Sequence, residues 1–252
     1  MKSSPFEDRM RRGEYFHALR VPDEVWTVLR LDGRGFSKFT AARFEKPFDV
    51  RFHELMVGTC HRLAKEFGAL YVYTESDEIS ILLPVAWDLF DREVEKIVSL
   101  SASVASVDFS LALGEAAHFD SRIWFASSQN TVVDYFRWRQ GDATRCALNG
   151  WAYWMLRKGG MSAGTATAAL KRASKAEKNE LLFQQGINFN DLPAWQRRGT
   201  GVHWEMYEKP GLNPITGENV LATRRRLKVD DELPMRDEYS AYLGELLAGS
   251  LR

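Results

Sequence analysis

The first ordered pattern along the chain is an alternation. In Val25-Trp26-Thr27-Val28-Leu29-Arg30-Leu31, positions Val25, Thr27, Leu29 and Leu31 share one side, the period-two signature of a strand. The turn Asp32-Gly33-Arg34-Gly35 ends it. After Pro47-Phe48-Asp49 the period changes. Asp49 is placed to cap a helix that carries Phe52, Leu55, Met56, Leu63 and Phe67, with Gly68 as its stop. The runs Leu70-Tyr71-Val72-Tyr73 and Ile79-Ser80-Ile81-Leu82-Leu83 flank Ser76-Asp77-Glu78 and predict a hairpin that Pro84 closes. A second helix is expected from Asp88 to Val104, and a further strand within Val107–Leu113.

That order, β-α-β-β-α-β, predicts an α+β fold: the split βαβ, ferredoxin-like arrangement, an antiparallel sheet with two helices on one face. A short amphipathic helix is expected in residues 1–23. Beyond residue 125 the pattern turns mainly helical, with candidates at 129–139, 142–158, 162–170 and 174–184. A β excursion is expected within 200–229, and a final helix over Asp237–Leu251. No linker composition divides the chain, so residues 1–252 read as one unit: a palm-like core at about 24–125 and a helical region at about 126–252.

Composition adds two constraints. Lys plus Arg and Asp plus Glu each total 34, which excludes a globally basic nucleic-acid binder but not a local one. Residues 137–178 hold nine basic side chains against Asp142 and Glu177, a local charge of +7 suited to a polyanion. The 2 cysteines, Cys60 and Cys146, have neither metal-ligand nor disulfide-framework spacing. The five histidines show no paired spacing. No apolar signal core and no membrane-length apolar run is apparent, so a soluble, cytoplasmic protein is expected.

The candidate chemistry lies in the two acidic turns. Asp32 at a strand end and Asp77 in a hairpin turn can meet above a sheet. Paired carboxylates there can hold two Mg²⁺ ions about 4 Å apart for transfer at phosphorus. Consecutive amides from Gly33 to Ser37 can form a nest for phosphate oxygens. Glu78 is a further candidate for metal or ligand orientation. Singly, each turn is most simply a solvated turn; the joint order makes the functional reading specific. Arg224-Arg225-Arg226 could meet RNA phosphate, but Asp230-Asp231-Glu232 follows closely. The tryptophans, Trp124, Trp138, Trp151 and Trp154 among them, fit a core or subunit contact better than base stacking.

The stretches LDGRGFSKFT (31–40), EKPFD (45–49), TESDEIS (74–80), FDSRIWFASSQNTVVDYFRWRQGD (119–142), KNELLF (178–183), GINFN (186–190) and RRGT (197–200) resemble, in order, the tRNA-histidine guanylyltransferase superfamily of 3′–5′ polymerases. The resemblance implies a palm fold and nucleotide addition, typically G from GTP, to a tRNA 5′ end after activation by ATP. It implies Asp32, the Gly33 carbonyl and Asp77 as ligands of two Mg²⁺, with Asp32, Asp77 and Glu78 catalytic. It implies Asp32, Gly33, Arg34, Gly35, Phe36, Ser37, Lys46, Ser76 and Asp77 as nucleotide-binding. Arg92, Lys96, Lys178 and Asn188 would serve a second triphosphate or the tRNA 5′ end, and Arg122 would contact tRNA. A homotetramer built as a dimer of dimers is also implied.

One span departs from the family. Where eukaryotic members carry His-Ile-Asn-Asn-Leu-Tyr, residues 142–149 read Asp-Ala-Thr-Arg-Cys-Ala-Leu-Asn, with Thr144 in the histidine's place and both motif asparagines absent. This resembles the guanylyltransferase-like branch that repairs truncated tRNA 5′ ends. Two other classes compete: a palm nucleotide cyclase acting on free nucleotides, and an inactive RNA-binding module.

Overall fold

The computed structural model describes residues 4–212 and 217–249. Strand β1 (Trp26–Gly33) is central because both its faces are apolar. Leu29 and Leu31 enter one core, Trp26 and Val28 the other. It pairs antiparallel with β3 (Glu78–Leu83) and β4 (Phe119–Ala126); β3 pairs with β2 (Tyr71–Glu75). The order β4-β1-β3-β2 is the expected ferredoxin-like sheet, and β5 (Thr200–Leu212) and β6 (Asn219–Asp230) extend it to six strands. Only Thr200–His203 of β5 meet β2; the rest of β5 and β6 pair with each other.

A short helix, α1 (Pro5–Arg11), and α2 (Phe36–Ala41) precede α3 (Val50–Glu66). Asp49 caps α3 by accepting from the Arg51 amide, as the sequence predicts. α3 and α4 (Val94–Leu113) cover the Leu29 face, through Met56, Leu63, Ile97, Ala105 and Phe109. The opposite face is covered by α5 (Gln129–Lys158), through Val132, Tyr135 and Phe136, and by the last helix, Arg236–Gly249, through Tyr239, Leu243 and Leu247. α6 (Ala163–Lys171), α7 (Lys175–Phe183) and α8 (Ala194–Arg198) pack on α5, and Arg236–Gly249 is α9.

Three expectations are corrected. The strand expected within Val107–Leu113 is instead the end of α4. Its stop is Gly114 at φ 80°, and the strand comes later, as β4. The helices expected at 129–139 and 142–158 are one 30-residue helix, α5. Asp142 does not break it because it lies one turn from Arg139 and from Arg145, 3.2 Å from the Arg139 guanidinium and paired with both. The β excursion expected within 200–229 is present as β5 and β6, which join the sheet. Of the final helix, Leu251 lies outside the described residues. α4 is, by length and composition, apolar enough to cross a membrane, contrary to the expectation of no such run. It is anchored to β4 instead: Ser101 Oγ donates to Ser121 Oγ at 2.8 Å, and Ser106 Oγ accepts from the Phe119 amide at 2.9 Å.

The β5 entry turn is a sensitive point. Gly199 has φ 74°, and a Cβ there would lie 2.5 Å from the Tyr73 hydroxyl and 2.7 Å from the Thr74 carbonyl. Gly199→Ala is therefore expected to cost about 3 kcal/mol or more, read as a lower urea midpoint at unchanged m-value. A loss below about 1 kcal/mol would show that β5 can shift away from β2.

Candidate active site

β1 and the β2–β3 hairpin end side by side, which brings their acids together. Register sets Asp32 opposite Glu78 on one flank and Asp120 on the other. The Gly33 amide donates to the Asp77 carbonyl at 3.0 Å, tying the two acidic turns. Gly33 has no room for a side chain: a Cβ would fall 2.5 Å from the Phe36 ring. Ser76 adopts φ 49°, and its Oγ donates to Asp77 Oδ1 at 3.1 Å. Burial pushes the Asp77 carboxyl up to about 6, and the nearby Asp32 charge adds to this. A carboxyl held this way, facing a second carboxylate, fits a divalent cation, whose charge would relieve both costs. The Asp32 and Asp77 carboxylates and the Gly33 carbonyl are the oxygens that could hold it.

The phosphate nest is narrower than expected. The Gly33 and Arg34 amides are already used, on the Asp77 and His118 carbonyls. The amides of Gly35, Phe36 and Ser37, at the start of α2, remain for a ligand. Gly35 makes the turn possible with φ 73°. Lys46 stands beside them, its Nζ donating to Thr40 Oγ1 at 2.5 Å. Burial holds its ammonium below the ordinary lysine range, although Asp77 and Asp49 draw it up.

Glu78 shares Asp32's side of the sheet but is not free. Arg139 Nε donates to Oε1 at 2.6 Å, and Arg139 Nη2 and Arg30 Nε donate to Oε2 at 2.9 and 2.8 Å. Two guanidiniums saturate this carboxylate, so it fixes the β1–β3 end to α5 rather than offering an oxygen to metal. Arg122, on β4, lies 3.8 Å from Asp32 and 2.8 Å from Asp120.

A cleft of about 490 Å³ opens beside Asp77, between α2, the 44–53 segment, α5 and α8. Lys46, Thr74, Glu75 and Ser76 line it near the acids; Tyr153 and Trp154 of α5 line it farther out. Sequence reasoning missed Glu75. Burial first, then the neighbouring Glu78, pushes its carboxyl up to about 8 against the pull of Arg139. The signal was its place in TESDEIS, one residue before the turn, which hides how deep β2 ends. The sign of its pH effect follows. A folded value above the ordinary 4.5 penalises the charged form in the fold, so stability falls as pH rises from about 4.5 to about 8, then levels. In chelator, the melting temperature of the native chain is expected to drop from about pH 4.5 to about 8 relative to Glu75→Gln. Parallel curves would show that Glu75 ionises freely.

The family models of tRNAHis guanylyltransferase and of the Thg1 C terminal domain match residues 7–130 and 130–235. The chain belongs to the tRNA(His) guanylyltransferase family. With it, the chain is a nucleotidyltransferase. Curated family relatives include the tRNA(His) guanylyltransferase of Schizosaccharomyces pombe, 33% identical over 87% of this chain and 91% of that protein. That of Neurospora crassa is 33% identical over 81% and 77%. Among solved structures, a bacterial tRNA(His) guanylyltransferase-like protein in complex with GTP superimposes with a TM-score of 0.76 at 30% identity, covering 97% of this chain and 99% of that one. One in complex with ATP gives 0.74 at 31% identity, covering 96% and 99%.

Within one chain, the residues expected to serve a second triphosphate or the tRNA 5′ end are dispersed. Arg92 donates to the Pro22 carbonyl at 3.0 Å and lies 2.8 Å from Asp23; Lys96 lies 3.1 Å from Glu93. Both stand where α4 begins, next to the approach to β1, whereas Asp32 lies at the far end of β1. His17, Glu93 and Glu95 converge there within 4.8 Å. Glu93 is already paired with His17 and Lys96, which makes this an ion-pair cluster and not the expected metal site. Lys178 is on α7, lining a separate groove with Leu156 and Leu170. Asn188 is exposed, and its side chain is engaged with Asp191 and the Asn190 amide. Thr144 braces α5 to α8 by donating to the Arg197 carbonyl at 2.8 Å.

Proposed function

We propose that this chain adds nucleotides, G from GTP foremost, to a tRNA 5′ end in the 3′–5′ direction, after a nucleoside triphosphate such as ATP has activated that end. The observation that carries the reading is the joining of the Asp32 and Asp77 turns through the 3.0 Å bond between the Gly33 amide and the Asp77 carbonyl. Relatives of this fold are known with GTP and with ATP. Two Mg²⁺ ions, held by Asp32, Asp77 and the Gly33 carbonyl, would supply charge neutralisation and lower the pKa of an attacking hydroxyl. The rest falls to the chain. The amides of Gly35, Phe36 and Ser37 cradle triphosphate oxygens. Lys46 offsets their charge from beside Asp77. Arg122 holds Asp32 in place, in reach of an RNA phosphate. Glu78, clamped by Arg30 and Arg139, keeps the β1–β3 end rigid.

The altered 142–149 span favours repair of truncated ends over a dedicated extra G on tRNA-His. Thr144 is spent on the Arg197 carbonyl, and Cys146 and Ala147 replace the motif asparagines on the cleft wall. The proposal includes a homotetramer, for which the exposed Leu100, Val107 and Leu111 of α4 offer apolar surface.

The test is a gel assay with 5′-labelled tRNA-His, full-length and lacking its first nucleotide, with ATP, Mg²⁺ and each nucleoside triphosphate separately. Extension of the truncated RNA by the pairing nucleotide alone is expected. One G added to the full-length RNA regardless of pairing would make this a dedicated guanylyltransferase. Extension of neither would overturn the reading.

A further inference from the structure

The tryptophans of β4 and α5 do not share one role. Trp124 packs on Tyr135 with ring centroids 4.6 Å apart, and Trp151 packs with Phe48 against Leu148, Leu182 and Phe189. Trp138 is instead 55% exposed, although it sits on the helix that covers the sheet. Its ring is nevertheless held in place. The guanidiniums of Arg139 and Arg30 lie over it, 4.5 and 5.6 Å from the ring centroid, and Tyr135 meets it edge-on at 5.8 Å. Both guanidiniums are bonded to Glu78, so they reach the indole from the protein side. What remains of the ring faces solvent as a flat, fixed, apolar surface.

Strand register sets its distance from the acids. Arg30 lies opposite Arg122 and Asp32 opposite Asp120, and the period of two puts all four on the α5 side of the sheet. Trp138, against Arg30, is therefore one side-chain step along β1 from Asp32. α5 lines the cleft from Ala143 onward, and Trp138 lies before that stretch and outside the lining. The ring and the cleft can thus be occupied together. The acids of this face are each met by a guanidinium: Asp32 and Asp120 by Arg122, Glu78 by Arg30 and Arg139. With these cations spent, the ring is not built for a free triphosphate. It suits a base carried on a strand and taken by its flat face.

We propose that Trp138 is a stacking platform for an unpaired base of the RNA 3′ strand, beside the 5′ end that is extended. A base inside a duplex has both faces covered by its neighbours, so a lone aromatic surface takes an unpaired one. A truncated 5′ end leaves such bases opposite it. Stacking uses the face of the base and leaves its pairing edge free, which templated addition requires. Trp138 thereby holds the 3′ strand still while the 5′ end is positioned at Asp32 and Asp77. The inference rests on the reading that an RNA 5′ end is extended there.

The experiment is fluorescence anisotropy of the full chain, in Mg²⁺, with two labelled hairpin RNAs. Both carry a tRNA acceptor stem that lacks its 5′ nucleotide, with an unpaired 3′ strand of the same length; in one, the unpaired nucleotides are abasic. The backbone phosphates are equal, so the ratio of affinities reads stacking. The native chain is expected to bind the base-bearing RNA about tenfold tighter than the abasic one. In Trp138→Ala that ratio is expected to fall to about 1, and in Trp138→Phe part of it should remain. Thermal melts confirm that each variant folds, and sedimentation velocity reads its assembly state. Equal binding of the two RNAs by the native chain, or a ratio that survives in Trp138→Ala, overturns the inference and leaves the RNA reading standing. A ratio lost together with a change of assembly state makes Trp138 a subunit contact and overturns the inference as well. Failure of the native chain to bind either RNA overturns both.

Discussion

Asp77→Asn is expected to abolish nucleotide addition, by about a thousandfold or more, while the protein stays folded. Asparagine keeps the shape and the neutral form that the fold already favours. The Asp77 carboxyl is pushed up to about 6 by burial and by Asp32, so above that pH the metal-free fold bears the cost of an ionised group. The substitution removes this cost. Above about pH 7 and without divalent cation, the variant should melt no lower than the native chain. With Mg²⁺ the native chain should gain stability and the variant should not, since only a site that binds the ion transmits its binding to folding. Single-turnover extension of truncated tRNA and paired melts measure the two effects. Activity within tenfold of native would remove Asp77 from the metal site.

Loss of Arg139 should produce the largest stability effect. Its side chain is 3% exposed and touches Glu78, Glu75 and Asp142 at 2.6, 3.2 and 3.2 Å. Arg139→Met fills the volume but strips these acids of their shared cation. Removing one partner of a buried ion pair costs about 3–5 kcal/mol, because the remaining charge stays buried. Arg30 and Arg145 still reach Glu78 and Asp142; Glu75 is left with none, and should shift further toward its neutral form. The expected readout is a drop of that size in urea unfolding at pH 8, smaller at pH 6. Arg139→Lys should recover little, since one ammonium cannot bond both Glu78 oxygens as the fork does. A cost under about 1 kcal/mol would mean that water reaches the cluster.

The sheet, α3 and the paired acidic turns were legible because their signals are local. Val25 to Leu31 alternate, Asp49 caps its own helix, and Asp32 and Asp77 sit at element ends. β4 was misplaced because Val107 to Leu113 alternate in polarity while forming the last turns of α4, where a half-exposed helix tolerates either period. The Arg139 clamp on Glu78 was hidden by distance: the partners are 61 residues apart, and nothing near Glu78 signals a guanidinium. The separation of Arg92 and Lys96 from Asp32 was equally hidden. Helical spacing shows that the two cations share a face, but not which end of the sheet the helix starts from. The same limit applies to the stacking of His53 on Trp195, which depends on α8 docking against α3.

The clamp also sets a schedule for the growing chain. β1, β2 and β3 are complete by residue 83, yet the guanidinium that steadies Glu78 is at 139, and β5, which closes β2 along Thr200–His203, comes later still. The boundary at residue 130 between the two family matches thus cuts through a shared core. A nascent chain stalled before α5 would carry Asp32 and Asp77 with Tyr71, Tyr73 and Leu82 uncovered. Competence would arrive late and all at once, when the last helix seals that face. On the proposed reading, nucleotide addition waits until that face is sealed.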